Sequence, residues 1–352
     1  MDLIRKYLDA PYEDIPEQVL DLARATGRKV VAIGGGTGLS TLLLGLKEYT
    51  ENITAIVTVT DDGGGSGVLR REFGILPPGD IRNCILALAD SSSQLRELLN
   101  YRFDGGSLQG QSFGNLFLLA LNNVSGSFAQ AVADMSRILA ITGRVLPVCD
   151  SNVALQATFA DGSVVRGETS ITAAKKERDL DIRSVSLDPV CATALPQALE
   201  AIEEAELIVL GPGSLYTSVI PNLLVEGICE AIAESDAVRV YVLNVMTQDG
   251  ETENYTASDH IRALMKHAKV RNLFDLCLAN NYVFPEEIVL RYREEGASPM
   301  TVDQYEIAGL GVQTIFAAVA DDSSGMARHN PDLLAAELIN IFRNRTRTRI
   351  YR

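Results

Sequence analysis

Short apolar runs that end in glycine or small polar residues recur along this chain. Val30-Val31-Ala32-Ile33 opens into glycines and then into a leucine-rich segment, which predicts a strand, a turn and a helix over about 40–49. Ile53–Val59 repeats the strand and again meets glycines. Two such strands joined by a helix predict a βαβ unit with a right-handed crossover. Helical spacing follows over about 80–90, 94–101, 115–122 and 127–140. The pattern then changes: Val145–Val148, Ala154–Phe159 and Val164-Val165, with a tight turn at Ala160–Ser163, predict a β-hairpin insertion at about 144–173. Parallel order resumes with Leu207–Leu210 and Val238–Val245. Asn330 and Pro331 read as the N-cap and first residue of a last helix, striped by Leu334, Leu338, Ile341 and Phe342. Residues 2–25 show helical spacing broken by Pro11 and Pro16. The fold class this predicts is α/β: a Rossmann-like, mostly parallel sheet with helices on both faces and an inserted hairpin region. Residues 1–28 form a helical extension, 29–342 the α/β domain and 343–352 a basic tail.

Composition narrows the function classes. Acids outnumber bases 46 to 31 over 352 residues, a net charge of −15. That disfavours nucleic acid as a partner, because phosphates meet a repelling surface. It leaves room for a local phosphate site built from backbone N–H groups. No run reaches the length of a membrane helix, and the N-terminal segment lacks the apolar core of a signal peptide. Five scattered cysteines in apolar surroundings predict buried, reduced thiols in a cytoplasm. Three dispersed histidines make no zinc motif.

The chemistry is expected at the strand ends. In an open parallel sheet, ligands bind outside the carboxyl ends of the strands. The strands ending near 33, 59, 210 and 245 each pass into a glycine-rich or small polar loop, which predicts a long crevice for a nucleotide-sized ligand. Gly34-Gly35-Gly36-Thr37-Gly38 lets the backbone approach a phosphate at a helix N-terminus. It is not the dinucleotide fingerprint, because Leu39 stands where a glycine is needed, and it lacks the Lys-Ser/Thr of a P-loop. Gly35, Gly36, Thr37 and Gly38 are therefore candidate ligand contacts. Gly211-Pro212-Gly213-Ser214 is a second cradle, with Gly213, Ser214 and the nearby Asn244 as candidates. Asp61 and Asp62 end the second strand, and Asp80 follows in Pro77-Pro78-Gly79-Asp80-Ile81-Arg82-Asn83. Such acids hold Mg²⁺, take a proton or bind ribose, or else solvate a turn and favour a helix dipole. Asn83 and Asn115 are further candidates, Asn115 as a helix cap or a ligand contact. Arg328 and His329 precede the last helix, where cations are unfavourable unless an anion lies between.

These segments together resemble the gluconeogenesis factor family, within the 2-phospho-L-lactate transferase (CofD)-like superfamily. The resemblance is carried by Val30–Leu39, Ala55–Gly64, Pro77–Asn83, Gly211–Ser218 and Asn244–Gln248 through Ala257–His260, and covers about residues 29–342. It implies a cytoplasmic Rossmann-like protein that binds a UDP-sugar, typically UDP-N-acetylglucosamine. The implied role is regulatory, in cell shape and wall-precursor supply. It implies Tyr292 and Arg328 as a ligand-contacting pair. The transferase branch implies Asp62 and Asp80 as catalytic residues and Mg²⁺ ligands. Mg²⁺ is the one cofactor the residues suggest. Two features point away from that branch: three glycines follow the acids, and with 6% aromatics and no Trp the chain offers little stacking platform for a deazaflavin; Gln111, where the family often has histidine, further weakens an acid/base role at that loop. The expected partner is a nucleotide-sugar, with a homodimer left open and no protein partner specified.

Overall fold

In the computed structural model, residues 24, 26–90, 92–270 and 272–350 are described. The helices expected over 2–25 lie outside them apart from Arg24. The strands are β1 (Val30–Gly34), β2 (Ile53–Val57), β3 (Arg144–Pro147), β4 (Ala154–Phe159), β5 (Val164–Arg166), β6 (Ile182–Asp188), β7 (Leu207–Leu210), β8 (Val238–Val242), β9 (Leu276–Asn280), β10 (Gln313–Ala317), β11 (Ala320–Asp321) and β12 (Arg328–His329). The helices that matter below are α1 (Gly36–Leu46), α2 (Gly64–Phe73), α3 (Gly79–Leu88), α4 (Ser93–Asn100), α5 (Phe113–Ser125), α6 (Phe128–Ile138), α7 (Glu168–Arg178), α8 (Ala257–Ala268), α9 (Glu286–Glu294) and α10 (Pro331–Ile350).

Seven strands form one parallel sheet in the order β10-β9-β8-β7-β1-β2-β3. Every residue of β1, β2 and β7 is buried. Successive side chains of a strand point to opposite faces, so the sheet is covered on both. The chain runs outward from β1 through β2 to β3, then returns to β7 and runs the other way. The switch point therefore lies between β1 and β7, where their carboxyl-end loops sit side by side.

The predicted α/β architecture holds, with three differences. First, β3 is not part of the hairpin but pairs in parallel with β2 at the sheet edge. The antiparallel insertion is β5-β4-β6 and encloses α7. A short apolar run reads alike in either pairing, so the boundary was not visible in the pattern. Second, α1 begins at Gly36 rather than near residue 40. Glycine has low helix propensity, but an acceptor supplied by α3 starts the helix early. Third, α10 continues to Ile350, so residues 343–350 prolong the last helix. Asn330 caps it as expected, its Oδ1 accepting from the N–H groups of Asp332 and Leu333 at 3.0 Å. No single helix among the described residues is long and apolar enough to cross a membrane. Of the five free cysteines, four are buried, but Cys191 is exposed beside exposed Val190, in the segment between β6 and the next helix.

Candidate functional site

The loops after β1 and β7 pack backbone against backbone. A Cβ on Gly38 would lie 2.5 Å from the carbonyl oxygen of Pro212, so only glycine permits this approach. Asn244, just past β8, locks the second loop: its Oδ1 accepts from Gly213 N–H at 3.1 Å and its Nδ2 donates to Gly213 O at 2.8 Å. Ser214 Oγ donates to Gln248 Oε1 at 2.7 Å. Buried Asn222 donates to Gly34 O at 3.0 Å and ties the two loops from below. The fully buried Glu251 accepts from Tyr216 N–H at 3.1 Å and from Thr217 Oγ1 at 2.5 Å. Burial raises its pKa to about 7.

An open cavity of about 270 Å³ lies over this junction. Thr37, Gly38, Gly213, Ser214, Asn244 and Arg328 all line it. These expected contacts converge, although they come from four separate stretches of sequence. Gly35 and Gly36 face away from the cavity, toward α3. Gly36, with φ +65°, donates its N–H to Asp80 Oδ2 at 2.8 Å. A Cβ on Gly35 would meet Asp80 Oδ2 and Thr58 Cγ2, both at 2.8 Å. The first free N–H of α1 is thus taken by the protein's own carboxylate, and the cavity is left with the turn at Thr37 and Gly38.

Arg328 is exposed, and its guanidinium reaches Met326 Sδ at 3.5 Å. His329 does not join it as a second cation. Burial lowers its pKa to about 4 against a hydrogen bond with the Leu243 backbone that works the other way, so the ring is neutral at pH 7. Tyr292, on α9, is half-buried in a small apolar cluster with Met246, Phe284 and Ala327. Its hydroxyl donates to Ala327 O at 3.4 Å. Tyr292 thus holds the residue next to Arg328 rather than lining the cavity.

On the β2 side lies an acidic cluster. Asp61 Oδ1 accepts from Gly63 N–H at 2.9 Å, and the Asp61 carboxylate is the one that bears on Asp80. Burial, opposed by the Gly36 hydrogen bond, puts the Asp80 pKa at about 6. Asp62 turns the other way, accepting from Thr169 N–H at 2.9 Å and Thr169 Oγ1 at 2.8 Å at the start of α7. The expected Asp62–Asp80 metal pair is therefore not what the fold assembles; Asp61 and Asp80 are neighbours instead. Desolvation, then Asp61, Asp80, Glu251 and Asp62, push Glu168 well above the ordinary carboxylate range. No group of three or more His, Cys, Asp or Glu among the described residues is arranged to hold a metal ion.

Arg82, almost fully buried, organises the far wall. It donates to Ser112 Oγ, to Asn115 Oδ1 at 3.1 Å and to Asn83 Oδ1 at 2.7 Å. Ser112, not Asn115, caps α5. Asn115 is buried and serves Arg82, so it stands behind the crevice rather than in it. Sequence reasoning missed Arg82, Asn222, Glu251 and Glu168. Nothing local marks them, since each matters through burial and partners distant in the chain.

The model of the 2-phospho-L-lactate transferase CofD family matches residues 30–320. The gluconeogenesis factor of Bacillus subtilis (strain 168) is 44% identical over 316 residues, covering 90% of this chain and 98% of that protein. That of Halalkalibacterium halodurans is 45% identical over 313 residues, covering 89% of this chain and 96% of that protein. A crystal structure of a protein from Bacillus halodurans matches with a TM-score of 0.86 at 44% identity, covering 89% of this chain and 100% of that one.

Proposed function

Because the chain belongs to the 2-phospho-L-lactate transferase CofD family, with gluconeogenesis factors as near relatives, we propose that its switch-point crevice binds a UDP-sugar of the UDP-N-acetylglucosamine kind. In this reading it is a cytoplasmic regulator tied to cell shape and wall-precursor supply. The carrying observation is the shared cavity of Thr37, Gly38, Gly213, Ser214 and Arg328. A diphosphate there meets the first turn of α1 at Thr37 and Gly38 on one side and a guanidinium on the other, while Asn244 and Gln248 hold Gly213 N–H and Ser214 Oγ in place. The cluster of Asp61, Asp80 and Glu168 lies on the β2 side of the site, while Asp321 stands across the short β11–β12 ribbon from Arg328.

Calorimetry with UDP-N-acetylglucosamine tests the proposal, and a folded protein that gives no heat at millimolar ligand ends it. Arg328→Ala should weaken binding about ten- to a hundredfold, the worth of a charge-assisted hydrogen bond. Its melting temperature should hold, because the side chain is exposed and little of it is packed.

A second reading, a transferase with a nucleoside diphosphate donor, draws on the carboxyls of Asp61, Asp80 and Glu168. Their raised pKa values suit groups that hold or take a proton. Turnover with a deazaflavin acceptor, abolished in Asp80→Asn, would establish it. The Asp62–Asp80 set expected to hold Mg²⁺ does not fit, since Asp62 is committed to Thr169.

A further inference from the structure

A second open cavity, of about 520 Å³, lies where the insertion meets α8. Asp181 and Arg183, at the start of β6, line it together with Tyr216, Glu253, Tyr255 and the α8 residue Lys266. It shares no lining residue with the cavity at the switch point, yet both are built on the same two loops. Gly213 and Ser214 line the first cavity, and Tyr216, two residues on, lines the second. Gln248 lines the first, and Glu253 the second. Three bonds clasp these loops into one partition: Ser214 Oγ to Gln248 Oε1, Tyr216 N–H to Glu251, and the Tyr216 and Tyr255 hydroxyls to each other at 2.9 Å.

The charges on this cavity are unmet in two places and with opposite signs. Arg183 and Lys266 are exposed and form no ion pair with a described carboxylate. They are neighbours, since Lys266 Nζ donates to the backbone carbonyl of Arg183 at 2.6 Å. Two adjacent cations without a counter-charge repel, although the chain has acids to spare at net −15. An anion bound between them turns that repulsion into charge-assisted hydrogen bonds. The second place is acidic. Asp181 and Glu253 share one ammonium, that of Lys175 on α7, at 3.6 and 3.3 Å. The Lys175 side chain is 4% exposed, so water does little to screen the group. Two carboxylates against one ammonium leave a negative surplus, and Glu253 Oε2 accepts no hydrogen bond. A carboxylate only accepts, so this place asks for a cationic donor. Ile182, Ala263 and the two tyrosine rings give the lining apolar surface as well. Arg262 adds no free charge, being paired with Asp259 at 3.2 Å and Glu306 at 3.0 Å.

We propose that this cavity is a second small-molecule site and that it takes a zwitterion of the amino-acid or short-peptide class. The carboxylate of the ligand lies at Arg183 and Lys266, its ammonium at Asp181 and Glu253, and its side chain against the tyrosine rings. A plain anion would leave the acidic pair unmet and repelled, and a plain cation would do the same to Arg183 and Lys266. The proposal does not depend on what the switch-point cavity binds.

Calorimetric titration of the full chain with each of the standard amino acids and with alanyl-alanine is the test. The expected result is heat with at least one of them. Its analogue lacking the amino group and its analogue lacking the carboxylate should each bind at least about tenfold more weakly. Arg183→Ala should weaken binding by at least about tenfold with an unchanged melting temperature, because the side chain is exposed and unpaired. Asp181→Asn should weaken it as much from the acidic side. Arg328→Ala should bind the same probe as wild type does, which separates this site from the first cavity. A folded protein that gives no heat with any probe at millimolar concentration overturns the proposal. So does a deaminated analogue that binds as tightly as its parent, or binding that survives both Arg183→Ala and Asp181→Asn.

Discussion

Replacing Gly38 with alanine sets two effects of opposite sign against each other. Gly38 sits inside α1, where alanine normally favours a helix by up to about 1 kcal/mol. A Cβ there would lie 2.5 Å from Pro212 O, 2.8 Å from Pro212 C and 3.1 Å from Gly213 N. All three are backbone atoms, so no rotamer change relieves the clash. Carbon–oxygen contacts settle near roughly 3.3 Å, so the two loops must part by roughly 0.8 Å. Overpacking of this kind costs about 1–3 kcal/mol. The clash should win, leaving a net loss of roughly 0–3 kcal/mol. Function should suffer more than stability. Parting the loops separates the Thr37–Gly38 turn from Gly213 and Ser214, and losing one charge-assisted hydrogen bond weakens a diphosphate by about tenfold or more. Gly34→Ala is the control, since its Cβ would meet nothing nearer than 3.8 Å. The assays are thermal melting and calorimetric titration with UDP-N-acetylglucosamine. A Gly38→Ala protein that melts higher than wild type and binds as tightly would refute the idea that the two loops form one site.

Two further outcomes follow from buried groups. Glu251 has a folded pKa near 7 against an ordinary 4.5. The native state therefore binds more protons than the unfolded chain between these values, and stability falls as pH rises through that window by about 3 kcal/mol. Glu251→Gln should flatten the melting temperature against pH between 4.5 and 7, and an unchanged slope would count against its burial. Arg82→Ala should destabilise by about 3 kcal/mol or more, because it strands Ser112, Asn115 and Asn83. Chemical denaturation measures this, and a loss under about 1 kcal/mol would mean that water replaces the guanidinium.

Much of the fold was legible because the central strands are uninterrupted apolar runs. β1, β2 and β7 could be recognised from sequence since both faces of each must be covered. The edge was harder to read. β10 is largely exposed or half-buried and shows no such run, and β3 gives its pairing partner no local signature. The convergence of Thr37, Gly38, Gly213, Ser214, Asn244 and Arg328 was legible because parallel order forces their loops to one edge of the sheet. The acids were legible as a group but not in their pairing. Asp61 and Asp62 are adjacent in a non-helical loop, and backbone torsions send one to Gly63 and the other to Thr169. The neutrality of His329 was hidden for a related reason. Burial sets it, and burial is a property of the assembled fold.

The acidity of the chain and a diphosphate site are reconciled by where the sheet reverses direction. At the reversal, β1 supplies the start of α1 and β7 the Gly213 loop, so donors gather over β1, β7 and β8. The carboxylates enter from β2 and from the insertion that carries Glu168, on the other side of Gly35. Asp80 stands at the border. By accepting from Gly36 it closes the innermost N–H of α1 and holds the glycine turn in place. In the proposed site an anion would lie toward Thr37, Gly38 and Arg328, one step out from Asp61 and Asp80. Moving the site one strand toward β2 would set phosphate against Asp61 and Asp80. The order of strands, more than the count of charges, is therefore what would let a chain of net −15 hold the proposed anionic ligand.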